Sequence, residues 1–317
     1  MSGHSRTKKT PITKIIASIA AVAIVALGGL FIYNNSFSAS SENKTTETTV
    51  TQEASKQTYT ASKEEKEYLS NKFKGLLATN SETVGYVYIP GTQLDEPVVQ
   101  TTDNATYLDK RFDGVNEPLM GTVFMDADNK KDFSDRLTWL FGHARGSKVA
   151  DHRMFKDVNY FSRQDYFDEH PYVVIETPER KYYYEAVAMI IVPEETAFYR
   201  TSFDDDADFE KQLNIIYDTA EVKKPNVKVS AKDKYLVLST CREEDDTIRA
   251  NLYLRQIPDS EMSDFVKQHG ERTRYLSLAA WCSAAKTCRS SHAAKRSWPT
   301  LNAAATPFPP VRMPKRY

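Results

Sequence analysis

Tyr235-Leu-Val-Leu-Ser-Thr-Cys241 and Ile248-Arg-Ala-Asn-Leu-Tyr-Leu-Arg-Gln-Ile257 are the two stretches that decide how this chain folds. The first is an apolar run closed by a cysteine. The second alternates, with Ile248, Ala250, Leu252 and Leu254 on one side and Arg249 on the other. Two such runs across a short polar connection read as a β-hairpin. If Arg242–Thr247 is a six-residue connection, Cys241 lies opposite Ile248 and Thr240 opposite Arg249, so the guanidinium falls within one cross-strand step of the thiol. A thiol beside a guanidinium suits a nucleophile with an oxyanion donor; a cysteine that merely packs in a strand is the plainer alternative. The connection carries four carboxylates, Glu243–Asp246, which disfavour a thiolate or simply form a solvated turn, while Arg249 and a nearby histidine cation would favour one.

Outward from this hairpin, short apolar and aromatic runs recur between turn signals: Val84–Ile89, Pro97–Gln100, Gly121–Met125, Leu137–Gly142, Tyr172–Thr177 and Lys181–Val192. With Tyr235–Thr240 and Ile248–Ile257 they predict an all-β sandwich or barrel. Pro90-Gly91 and Pro178-Glu-Arg180 supply the turns, the latter joining two runs as a hairpin. Two helices are predicted among the strands. Lys63–Leu77 places Leu69, Phe73, Leu76 and Leu77 at helical spacing, and Ala207–Tyr217 does the same with Phe209, Leu213, Ile216 and Tyr217 behind Asp204–Asp206, where a helix N-terminus favours negative charge. The second helix lies in the long connection before Tyr235, a place where insertions build one wall of a binding groove.

The ends of the chain set its surroundings. Residues 15–33, IIASIAAVAIVALGGLFIY, contain no charge and as a helix would span roughly 28 Å, enough for a hydrocarbon core. Arg6, Lys8, Lys9 and Lys14 in the leader 1–14 orient such an anchor with its N-terminus in the cytoplasm and the rest outside; a cleaved signal peptide is the rival reading. Residues 34–62 are rich in Ser, Thr, Glu and Lys and read as a stalk that cannot bury a core. A single domain then spans 63–270. Residues 271–317 change abruptly to Ala, Ser, Arg and Pro and are expected to stay outside the fold, a short polar segment, Pro258–Gly270, intervening between the last strand and them; Cys282, Cys288 and His292 there could form a disulfide or ligate a metal, on weak spacing. A net charge of -1, with no basic face interleaved with aromatics, gives no indication of a nucleic-acid partner. Asp126, Asp128 and Asp132 have a faintly calcium-like spacing without the glycine turn or closing glutamate such a loop needs, so no metal or cofactor is expected.

The candidate base is His143, which ends the run Leu137-Thr-Trp-Leu-Phe-Gly-His143 after a glycine that permits close backbone approach. Its rivals are His152, between Asp151 and Arg153, and His170 before Pro171. A surface histidine with no catalytic role is the plainer reading of each.

These residues carry a family resemblance. Leu238-Ser-Thr-Cys241 with Arg249 downstream, Phe141-Gly-His143 upstream, and the order His, Cys, Arg resemble the sortases, membrane-anchored cysteine transpeptidases of the bacterial surface. Tyr88-Ile-Pro-Gly-Thr92, Glu96-Pro-Val-Val-Gln100 followed by Asp103-Asn104, Gly121-Thr-Val-Phe-Met-Asp126 and Met154-Phe155 are similar to class B of that family, as is the helix before the catalytic strand. The resemblance covers about 63–257 and offers no counterpart to the tail. It implies an eight-stranded β-barrel and a two-step reaction. Cys241 would attack a C-terminal sorting motif of a secreted protein to give a thioacyl enzyme, His143 would exchange the protons, and Arg249 would hold the oxyanion or the substrate backbone. Ser239, Thr240 and Tyr199, with its neighbour Phe198, are the groove candidates, with core packing as the alternative for each. The acceptor would be a cell-wall peptide amine or a pilin lysine. A membrane-anchored cysteine protease using water, and a binding module with no catalysis, are the competing functions.

Overall fold

The computed structural model describes residues 59–145, 151–196, 198–242 and 245–274. The expected anchor, most of the stalk and the tail from 275 lie outside them. Among the described residues no helix is long and apolar enough to cross a membrane.

All eight predicted runs are strands: β1 (Thr83–Tyr88), β2 (Asp95–Val99), β3 (Val123–Met125), β4 (Leu137–Phe141), β7 (Tyr172–Glu176), β8 (Lys181–Pro193), β10 (Tyr235–Cys241) and β11 (Ile248–Gln256). They pair in the order β11-β10-β4-β3-β2-β1-β7-β8, and β8 pairs again with β11, so the sheet closes on itself as an eight-stranded barrel. The β2–β3 and β4–β10 pairs are parallel and the rest antiparallel. A barrel of this size is just wide enough to be filled by side chains. Val87, Val98, Met125, Leu140, Leu236, Leu238, Leu252 and Leu254 fill it, and Phe155, Val158 and Phe161 of a 3-10 segment (Phe155–Ser162) join the same cluster. Three very short strands were not foreseen: β5 (Ala144–Arg145) and β6 (Arg153–Met154), which pair only with each other, and β9 (Val222–Lys223), appended to β8.

A second core lies outside the barrel wall. Trp139, Ile190, Val237 and Tyr253 project outward from β4, β8, β10 and β11 and meet Phe209, Leu213 and Ile216 of the helix at Asp206–Thr219. Central strands buried on both faces explain why Tyr235–Leu238 reads as an unbroken apolar run.

Among the described residues five α-helices complete the fold. Helix α1 (Lys63–Thr79) starts at Ser62, whose side chain accepts from Glu65 N at 3.1 Å. It buries Leu69 and Phe73; Leu77, expected in the same stripe, is 41% exposed. Helices α2 (Thr106–Asp109) and α3 (Gln164–Glu169) are single turns without an apolar period to announce them. Helix α4 is the Asp206–Thr219 element, and Asp205 caps it by accepting from Asp208 N. Helix α5 (Asp259–Thr273) corrects the expectation of a polar segment: Met262 and Phe265 are buried, Phe265 lies 5.1 Å from the ring of Tyr172, and Thr273 O accepts from Tyr88 Oη. Two apolar residues three apart were too sparse a stripe to reveal it.

Candidate active site

The β10–β11 register differs by one residue from the expected one. Cys241 pairs directly with Arg249 and Thr240 with Ala250, because pairing continues past the cysteine: Arg242 N donates to Ile248 O at 2.9 Å. Opposed residues of an antiparallel pair share a face, so the thiol and the guanidinium stem stand side by side. Alternation decides which face. Leu236, Leu238, Ala250, Leu252 and Leu254 line the interior, which puts Cys241, Ser239, Arg249, Asn251 and Tyr253 on the outer wall.

Strand β4 delivers the histidine. It runs parallel to β10 with Phe141 beside Ser239, and Gly142 N donates to Ser239 O at 3.2 Å. His143 and Cys241, each two residues further on, therefore leave the barrel at the same end. Gly142 leaves room here, since a Cβ on it would lie 3.0 Å from the ring of Phe155. His143 O accepts from Phe155 N, which fixes the backbone, and its Nε2 lies 2.7 Å from Leu108 O. A carbonyl only accepts, so Nε2 carries the hydrogen and Nδ1 is left to exchange a proton. The ring rests on Gly121, which has φ +49° and whose Cβ, if present, would sit 2.9 Å from His143 Cδ2.

Two residues that the sequence did not single out, Glu194 and Asn159, help to hold this set. Arg249 Nη2 pairs with Glu194 Oε1 and Nη1 donates to Asp246 O at 2.6 Å. Glu194 follows β8 directly, and its N–H donates to Thr247 O. Asn159, in the 3-10 segment, donates through Nδ2 to Cys241 O at 3.1 Å and ties down the end of β10. No periodic signal marks a lone asparagine in such a segment.

Of the three groove candidates, Ser239 and Tyr199 lie on the outer side. Thr240 does not: it alternates onto the inner face opposite Ala250, and its Oγ1 is buried with no hydrogen-bond partner among the described residues. Tyr199 stands edge-on to Trp139 at 5.2 Å, and its hydroxyl donates to Asp126. Burial and that carboxylate push its pKa well up. Asp126 also accepts from Asn104 Nδ2 at 2.8 Å and from Asp128 N, so the carboxylate once weighed as a calcium ligand is used as a latch for the wall. The rival histidines are engaged elsewhere. His152 Nε2 is 2.6 Å from Asp157 Oδ1, and His170 is buried against Tyr166 with Nδ1 on Pro90 O.

No protein-family model matches the chain. The sortase B of Listeria monocytogenes is 29% identical over 185 residues, which are 58% of this chain and 73% of that protein. The Staphylococcus aureus sortase B–substrate complex superposes with a TM-score of 0.54 at 25% identity, covering 62% of this chain and 92% of that one. In sequence and in fold the chain is similar to the class B sortases. A sortase B complexed with Gly3 matches equally, with a TM-score of 0.54 and 26% identity over 60% of this chain and 87% of the other. Like these sortases the protein is a cysteine transpeptidase, and the eight-stranded barrel seen here matches their fold.

Proposed function

We propose that this sortase cleaves a C-terminal sorting motif of a secreted protein through a thioacyl enzyme on Cys241 and transfers the acyl group to a peptide amine outside the cell. The observation that supports this most is the direct pairing of Cys241 with Arg249 at the end of the barrel where His143 also emerges. Cys241 Sγ, its proton passed to His143 Nδ1, attacks the scissile carbonyl, and the S–C bond forms as the C–N bond breaks. His143 Nδ1 gives a proton to the leaving amine and later takes one from the incoming amine. Arg249 faces the developing oxyanion or the substrate backbone; donors in that role lower barriers by about 3–4 kcal/mol.

The related sortase B structures bound to a substrate and to Gly3 favour a peptide donor and an amine acceptor of the cell-wall type over a pilin lysine. In this reading residues 15–33 anchor the chain in the membrane of a bacterium without an outer membrane, with 34–62 as the stalk and 63–270 outside. The test is mass spectrometry of the protein with sorting-signal peptides, with and without triglycine. We expect a covalent adduct on Cys241 that triglycine converts to a ligated product, and no adduct in Cys241→Ala. Release of acid alone at saturating amine would assign a protease instead, and an adduct that persists in Cys241→Ala would remove Cys241 from the role.

A further inference from the structure

Below the thiol the outer wall carries polar side chains that the fold leaves unmatched. Asn251 pairs across the hairpin with Ser239, one pleat along from the Cys241–Arg249 pair and on the same face. It is 5% exposed, and its Oδ1 makes no hydrogen bond with any described residue. One pleat further, the hydroxyl of Tyr253 is buried with no partner either. A buried polar group left in this state costs roughly 1–3 kcal/mol. Nothing about the barrel demands it, since Val237, Trp139 and Ile190 on the same wall are apolar. Asparagine is also disfavoured in strand interiors. Such a violation of the folding rules is expected at a functional site.

We infer that Asn251 is a specificity-determining residue, whose carboxamide reads an uncharged polar side chain of the donor peptide close to the scissile bond. This rests on the transpeptidase reading above. Distance supports it: positions two apart on a strand are separated by about 6.6 Å, and an extended peptide advances about 3.3 Å per residue, so a side chain within two residues of the scissile carbonyl reaches Asn251. Chemistry selects the class. A carboxamide offers a donor and an acceptor, and the matching group must offer both, as amide and hydroxyl side chains do. An ionised side chain in so buried a place would lose its hydration, and the neighbouring cation, Arg249, is already paired with Glu194.

The experiment compares donor peptides that differ only by Asn against Leu, or Thr against Val, at each of two positions on either side of the scissile bond, using the wild type and Asn251→Leu. At one position the wild type is expected to prefer the polar member by about tenfold or more in kcat/KM, because a site built for a hydrogen bond rejects the analogue lacking it. In Asn251→Leu that ratio should fall to within about threefold of unity, with the other positions unchanged. The free variant should melt no lower than the wild type, since an apolar group replaces an unmatched one. If leucine does not fit, Asn251→Ala serves for the ratio. A polar preference that survives replacement, its absence in the wild type, or a melting point several degrees lower in Asn251→Leu would each overturn the inference. Failure of every peptide to acylate Cys241 is a different result and removes the transpeptidase reading itself.

Discussion

Glu194 and the Asp246 carbonyl hold two of the nitrogens of Arg249, and this explains why the side chain is an arginine. A planar fork can make both contacts and still present further N–H groups; an ammonium on a flexible stem presents three donors from one point. Arg249→Lys is therefore expected to lose nearly as much kcat/KM as Arg249→Ala, about 10²-fold or more, as for loss of an oxyanion donor. A lysine enzyme retaining most of the turnover would mean that charge alone suffices. His143→Ala should lower kcat by at least about 10²-fold while His152→Ala changes it little, because His152 is bonded to Asp157 and not aligned with the β10 end. Steady-state assays of the two variants decide the ranking. The placement of His143, Cys241 and Arg249 was legible in the sequence because each ends or opens an alternating strand. Glu194 and Asn159 were not, since their roles depend on contacts between segments far apart in the chain.

At the scale of elements, strand alternation predicted every barrel strand but missed the hairpin register by one, because the point where pairing stops is set by turn geometry that composition does not report. That one step moves Arg249 from diagonal to directly opposite the thiol and turns Thr240 inward. Helix α5 was the larger omission. It buries Met262 and Phe265, the latter clustered with Tyr172 and Ile257, and burial of each such side chain contributes about 1.5–3 kcal/mol. A protein ending at Ile257 should therefore melt several degrees below one ending at Arg274, as followed by circular dichroism; equal melting points would show α5 to be peripheral. Helix α1 is attached differently, through Glu176, which is fully buried and pairs with Lys72 of α1 at 2.7 Å and with Lys181 at 2.8 Å. Removing one partner of a buried ionic cluster typically costs 3–5 kcal/mol, so Glu176→Ala should lower the unfolding free energy by about that much in a urea titration.

For the molecule as a whole, His170 makes stability depend on pH. Burial lowers its pKa below the ordinary 6.5, so the folded state resists a proton that the unfolded chain accepts. The unfolded state then binds more protons in the window between the lowered value and 6.5, and stability falls as the pH drops through it. Replacing His170 with glutamine should flatten that part of the melting-point profile; an unchanged slope would place the titrating group elsewhere. The two-core arrangement was partly legible, in the apolar runs of β10 and β11 and the stripe of α4. That a single wall would serve both cores and carry the site between them follows only from barrel closure.

Closure also governs when this enzyme can become active. His143 arrives with the fourth strand and Cys241 with the tenth, and the parallel pairing that aligns them joins residues nearly a hundred positions apart. Contacts of that separation form late, after most of the loop-closure entropy has been spent. Refolding chains should therefore regain strand signal before they regain any capacity to acylate, and a nascent chain still lacking β10 holds the histidine with no thiol beside it. Reactivity is thereby withheld from every intermediate and appears only with the finished ring.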